Sequence, residues 1–421
     1  MTPEPGEAGK HRRSRLGRRF LATFAALRHR NYRLLWIGTL ISQTGDWMDQ
    51  IALNWLVLQI TGSPAYLGLV NFFRGTPILF FALLGGVAAD RIERRYLMMM
   101  TQGASMVLAF VLAGLVIFDA ADVWLLIVVA TCRGIVISFN LPARHTLVSE
   151  LVPREDLPNA VALTSLTLNI TKVIGPLIAG VVIGAIGVSA CFLINGISFV
   201  AVLGTLWAMD LPKKPRRKQT ETLGQSLVGG FAYINRHTAI RLLVLVALIP
   251  MFFGQPYLTM LTVFADSVYR IGPEGLGLLV SCAAAGSVCG ALLVATFSSA
   301  ARRGVVMLGF LLVYGCALVA FSLNDWFALA PVLLMVAGAM QIAYNASNNA
   351  MLQMAVPDEV RGRVLSTLFL NRGLVSMGTA FVGFLAALVG PQTAMASTTA
   401  VVAATAVLLF LFSPTMRGFR V

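Results

Sequence analysis

The sequence predicts an all-α membrane protein of twelve transmembrane helices arranged as two pseudo-symmetric halves of six. Three observations carry that expectation. Of 421 residues 57% are hydrophobic and 12% charged, and apolar runs of about 20 residues, enough to cross a hydrocarbon core of roughly 30 Å, recur from end to end. One long polar interruption, DLPKKPRRKQTETLGQ at 210–225, divides these runs six and six. Glycines and a loop motif then recur in both parts at a near-constant spacing. Lipid offers backbone groups no partner, so the runs are helices.

The elements follow in order. Residues 1–33 form a basic segment without a cleavable leader, because no short apolar core and small-residue cleavage site follow its charges. Phe20, Phe24 and Leu27 among Arg18, Arg19, Arg28 and Arg30 predict an interfacial amphipathic helix on anionic lipid. The N-terminal half, 34–209, carries spans at 34–60, 65–89, 96–118, 123–141, 160–186 and 189–209. The linker, 210–239, is cytoplasmic and ends in an amphipathic stretch with Leu223, Leu227, Phe231 and Ile234 on one face. The C-terminal half, 240–413, carries spans at 240–265, 274–298, 304–323, 326–346, 364–388 and 393–413, and 414–421 is a cytoplasmic tail.

A net charge of +14 raises the question of nucleic acid, but the basic residues partition by membrane side instead. Outside the spans, every Lys and Arg except Arg270 falls in the terminal segments or in loops of one side, and the other side holds Asp119, Asp122, Asp266, Glu274 and Asp325. The positive-inside rule then places both termini in the cytoplasm and the chain in an inner or plasma membrane. The five cysteines all fall within apolar spans, which excludes a disulfide framework, and the four histidines are scattered without ligand spacing. No nucleophile with a neighbouring base and no phosphate-binding glycine loop occurs in an aqueous segment. An enzyme is not expected, nor a metal or other cofactor.

The halves resemble each other. At a spacing of 204 residues Gly86 falls on Gly290, Gly134 on Gly338, and VPREDLP from Val152 on VPDEVRG from Val356; at 203, Gly175, Gly180 and Gly187 fall on Gly378, Gly383 and Gly390. Parallel repeats of six spans make the interface between halves the natural site for a ligand.

The loop GGVAADRIERR, 85–95, resembles the signature of the major facilitator superfamily, G-x-x-x-D-R-x-G-R-R, with Glu93 in place of the second glycine. With TGSPAYLGLVNFFRGTP, LPARHTLVSELVPREDLPNAVAL and VIGPLIAG, it is similar to the drug:proton antiporter-3 branch, which holds enterobactin exporters, macrolide efflux proteins and lysophospholipid transporters. The resemblance implies a cytoplasmic gate at Asp90, Arg91 and Arg94, whose charge-assisted latch breaks when the inner side opens. Gly175, Pro176 and Gly180 resemble the span-five element of exporters, where a proline bends the helix and small residues allow close packing.

Six ionisable residues lie inside the spans: Asp46, Asp49, Arg74, Arg133, Lys172 and Arg372. Such charges are costly in lipid and face one another or water. Counting the helical rise puts Asp46 and Lys172 roughly 18 Å from one side, and Arg74 and Arg133 roughly 12 and 15 Å from the other, so these four share a layer. Asp46 and Asp49, three apart, share a helix face. A structural ion pair is one reading; proton coupling through Asp46, Asp49 and Arg133 is the other. Exporters of the superfamily with an acid on span one and an arginine on span four favour Asp46 as the coupling acid. Four cations against two acids predict a cavity, with Arg74, Lys172 and Arg372, that takes an anionic or zwitterionic amphiphile; Gln341 and Asn345 on span ten would add neutral hydrogen bonds, and Trp47, Phe72, Phe73, Phe252, Phe253 and Tyr257 an apolar wall. The expected function is proton-driven export of a small amphipathic compound by a monomer, with the proton gradient as energy source. A lysophospholipid transporter and a non-transporting receptor are the alternatives.

Overall fold

The computed structural model describes residues 24–210, 233–297, 303–357, 360 and 371–418, a bundle of helices without strands among those residues. In the N-terminal half run α1 (Arg30–Thr61), α2 (Pro64–Gly75), α3 (Pro77–Arg91), α4 (Arg94–Ile117), α5 (Val123–Leu151), α6 (Leu157–Ile186) and α7 (Val188–Trp207). The second half holds α8 (Thr238–Ile249), α9 (Tyr257–Val263), α10 (Gly272–Phe297), α11 (Arg303–Ser322), α12 (Ala330–Ala355), α13 (Asn371–Val389), α14 (Pro391–Phe412) and the short α15 (Pro414–Arg417).

Among the described residues nine helical stretches are long and apolar enough to cross a membrane, and Gly373–Val389 is a shorter apolar one. The other two expected spans are those the sequence loads or breaks: α1 holds Gln43, Asp46, Asp49, Gln50 and Asn54, and α2 gives way to α3 at Thr76 because Pro77 lacks an amide hydrogen. The span expected at 240–265 is also not one helix. It is α8, a π turn at Pro250–Gly254, α9, and a second π turn at Phe264–Val268, with Gln255 N–H on the Pro250 carbonyl at 2.9 Å; Pro250 and Pro256 remove the ladder donors there.

Of the expected N-terminal amphipathic helix only the end, from Phe24, lies among the described residues, and it is not α-helical there. Residues Ala25–Arg28 make a single 3-10 turn, and the half-buried Phe24 and Leu27 pack against the core of the N-terminal half. Hydrogen bonds hold that turn to the start of α6: Ala26 N–H to Asn159 Oδ1 at 2.9 Å, His29 Nε2 to Asp156 Oδ2 at 2.7 Å, and Tyr32 Oη to the Ala160 carbonyl at 2.8 Å. Phe20, Leu223, Leu227 and Phe231 lie outside the described residues.

Two turns show the repeat directly. Gly187 between α6 and α7 has φ +100°, and Gly390 between α13 and α14 has φ +85°, a region closed to most L residues. The same correspondence appears in packing, since Gly175 lies against Trp47 of the first span and Gly378 against Phe252 of the seventh.

Polar residues mark the inside of this bundle and apolar ones both inside and outside, because the outer faces meet lipid. Val181, Ile197, Val200 and Leu292 are exposed accordingly. Arg94, Arg95, Arg303 and Arg417 sit at one end, hereafter the basic face. A single buried cluster joins both halves, running from Ile51–Leu58 and Phe192 to Tyr257–Phe264 and Leu334 and reaching the basic face in the second half at Met307 and Met416; at the basic face the N-terminal half has a separate cluster of Leu35, Met98, Leu147 and Phe199.

Two seams join the halves, α6 with α10 and α2 with α13. In the first, Gly277 lies on the Pro176 carbonyl and the Gly180 Cα, and Ser281 Oγ donates to the Val173 carbonyl at 2.6 Å. In the second, Gly383 lies on Gly68 and the Pro64 carbonyl. Nearer the basic face, α6 instead exposes Ser165 and Val161. The halves are therefore closed away from the basic face and diverge toward it.

Candidate functional site: a charged layer between the helices

Asp46 and Asp49 leave the same side of α1 and find different partners. The Asp46 carboxylate accepts from Arg133 Nη2 of α5, and from Gln43 Nε2, one turn earlier, at 3.2 Å. Arg74, near the end of α2, donates from Nη1 to Asp49 Oδ2 at 3.3 Å. Gly134 explains why the two arginines come so close: a Cβ there would collide with the Arg74 carbonyl, so only glycine lets α5 and α2 approach at this level.

Burial separates the two acids. Side-chain exposure is 29% for Asp46 and 4% for Asp49, with 6% for Arg133 and 11% for Arg74. Asp46 is therefore partly accessible while Asp49 is sealed within the bundle. Asp49, Arg74 and Arg133 border a cavity of about 10 Å³, otherwise walled by Leu53, Leu108 and Leu112, with room for about one water. Arg133 Nε and Nη1 have no hydrogen-bond partner among the described residues. The guanidinium instead lies 4.9 Å from the Phe199 ring centroid, an attraction of about 0.5 to 2 kcal/mol. That is smaller than the several kcal/mol it costs to bury an ion, so the acid remains its main support.

Lys172 has a different environment. Its Nζ lies 5.7 Å from the ring centroid of Trp47, and none of the ion pairs among the described residues includes it. Trp47 is thus a platform for a cation and not simply apolar wall. The charge count changes with this geometry: Arg74 and Arg133 are neutralised pairwise, and Lys172 has no ion-pair partner among the described residues. Arg372 lies at the start of α13, with its side chain outside the described residues.

The second half presents amides where the first presents ions. Gln341 of α12 donates to Gln255 Oε1 and to Tyr314 Oη, the latter at 3.1 Å. Tyr314 stacks on Tyr344 at 6.0 Å and meets Tyr257 edge-on at 6.5 Å. Tyr257, the first residue of α9 in the broken span seven, is 1% exposed and so belongs to the core and not to a cavity wall. Asn345 is half-buried on the α12 helix; Asn348 is buried, and its Oδ1 has no partner among the described residues.

Of the loop residues, Arg91 is exposed and Arg94 pairs with Glu150 at the end of α5, while Arg95 Nη2 donates to the Trp207 carbonyl at 2.6 Å. The Asp90 side chain lies outside the described residues. Sequence reasoning missed Gln43, Phe199, Gln255, Tyr314 and Glu150. Gln43 was within reach of it, being three residues before Asp46 on one helix face. Phe199 and Glu150 are brought in by other helices and have no spacing signal.

Comparison with known proteins places this geometry. Residues 21–417 match the family described as transmembrane secretion effector. The chain is 28% identical over 339 residues to the staphyloferrin A transporter of Staphylococcus aureus, covering 80% of this chain and 84% of that one. It is 24% identical over 395 residues to the enterobactin exporter EntS of Shigella flexneri, covering 93% and 94%. The crystal structure of a bacterial homologue of the human lysosomal transporter Spinster, inward-facing and unoccupied, shares the fold with a TM-score of 0.72 at 18% identity, covering 93% and 98%. The chain belongs to the transmembrane secretion effector family, multi-pass membrane transporters of the major facilitator superfamily.

Proposed function

We propose that this protein exports a small amphipathic compound of the siderophore type across the inner or plasma membrane in exchange for protons. The basic face and both termini lie in the cytoplasm, as the distribution of Lys and Arg favours. The observation that carries the reading is the Asp46–Arg133 pair, one member sealed and the other 29% exposed. The named activities of the two relatives support the cargo class.

The cycle follows from the pair. With the halves open toward the basic face, Asp46 is ionised and held by Arg133. When the opening reverses, a proton from outside binds the Asp46 carboxylate, which releases Arg133 as cargo leaves. Return to the inward-open state lets the proton pass to the cytoplasm and the pair re-form.

The test is siderophore transport in inside-out vesicles with and without an imposed proton gradient. Gradient-driven accumulation by the wild type, lost in Asp46→Asn with exchange of labelled siderophore retained, is the expected result. Wild-type transport that ignores the gradient would sink antiport, and transport of lysophospholipid in place of siderophore would move the cargo to lipid.

A further inference from the structure

One face of α6 carries Ser165, Asn169, Lys172, Pro176 and Gly180, spaced by three or four residues. The upper part of this stripe closes the seam: Pro176 and Gly180 lie against Gly277, and the Val173 carbonyl takes Ser281. In the lower part Asn169 Nδ2 bonds back to the Ser165 carbonyl at 3.0 Å in an exposed setting. Lys172 sits between the two, where the seam ends and the opening begins.

Nothing in its surroundings meets its charge. No acid pairs with it and no hydrogen bond from it occurs among the described residues, while the two acids of the layer are already taken by Arg133 and Arg74. Snorkelling is excluded by length, because fifteen residues of helix, roughly 22 Å, separate Lys172 from the start of α6. The Trp47 face supports one side of the ammonium and leaves its hydrogens free to donate elsewhere.

We propose that Lys172 and Trp47 form an anion-binding subsite for an acidic group of the cargo, with the indole as platform for adjoining aromatic or alkyl carbons. This rests on the transporter reading above and adds the charge class of the cargo and the residues that select it. The location also gives the subsite a role in alternation. An anion on Lys172 lies against the seam that must part for release, so the contact exists on both sides of the cycle.

The experiment uses the purified full chain in detergent with a matched pair of probes, naphthalene-2-sulfonate and the uncharged naphthalene-2-sulfonamide, and reads binding from the shift in unfolding temperature. The wild type should bind the sulfonate about tenfold more tightly than the sulfonamide. Lys172→Arg should keep that preference, and Lys172→Gln should lose it without weakening the sulfonamide. Equal binding of both probes by the wild type, or a preference that survives in Lys172→Gln, overturns the subsite. Should Lys172→Gln fold poorly, amine acetylation at Lys172 in the wild type decides the matter: slowing by the sulfonate alone supports the proposal, and equal slowing by both probes overturns it. Failure of proton-driven siderophore transport would remove the antiport reading and leave this charge preference standing, so the two are judged separately.

Discussion

Replacing Asp46 and Arg133 singly and together tests whether the charged layer is a coupled pair. The magnitudes follow from burial. Arg133 is 6% exposed, so Asp46→Asn strands a buried guanidinium whose Nε and Nη1 are already without partners among the described residues. Breaking a buried pair this way costs about 3 to 5 kcal/mol. Arg133→Gln strands Asp46, which is 29% exposed and can take up a proton, so its loss should be smaller, about 1 to 2 kcal/mol. Removing both ions should recover most of the stability, because the double variant leaves two amides within reach of each other. Arg94–Glu150, with side chains 26% and 27% exposed, is the control, and its coupling should stay below about 1 kcal/mol. The assay is unfolding followed by helical circular dichroism in one detergent, arranged as a double-mutant cycle. Losses that simply add for Asp46 and Arg133 would refute the pairing, and an Arg133→Gln variant less stable than Asp46→Asn would refute the argument from burial.

Two further outcomes concern the glycines. Gly187→Ala and Gly390→Ala should each lower stability by about 1 kcal/mol or more, since both residues have positive φ, whereas Gly103→Ala, with open space around it, should be neutral or slightly stabilising; equal effects at all three positions would contradict the turn geometry. Gly277→Val should force α10 away from Pro176 and Gly180. In a background without native cysteines, a Ser281→Cys reporter should then react faster with a polar maleimide added from the side opposite the basic face, and an unchanged rate would place the seam's closure elsewhere.

Much of this fold could be read along the chain because the bilayer imposes a length and a polarity on every span. The apolar spans and their repeat in two halves express that constraint, and the glycines at 187 and 390 carry it into the backbone. Where prolines cluster, the reading was coarser. Pro77 splits span two, and Pro250 and Pro256 turn span seven into short helices and π turns, because a missing donor changes the ladder without changing hydropathy.

The charged layer was legible as a layer and not as a set of bonds. Helical rise alone put Asp46, Arg74, Arg133 and Lys172 at one depth, and the spacing of the two acids put them on one face. Which arginine each acid takes depends on how helices α1, α2 and α5 rotate and approach, and Gly134 against the Arg74 carbonyl sets that approach. Burial of Asp49, exposure of Asp46, the ring of Phe199 under Arg133 and the indole of Trp47 under Lys172 come from helices distant in sequence. The sequence by itself determined the membrane, the two halves and the depth of the charges, since these depend on hydrophobicity and rise per residue. Only the tertiary structure decided that two cations are neutralised and Lys172 is not, because charge pairing depends on distances between helices that no single helix encodes.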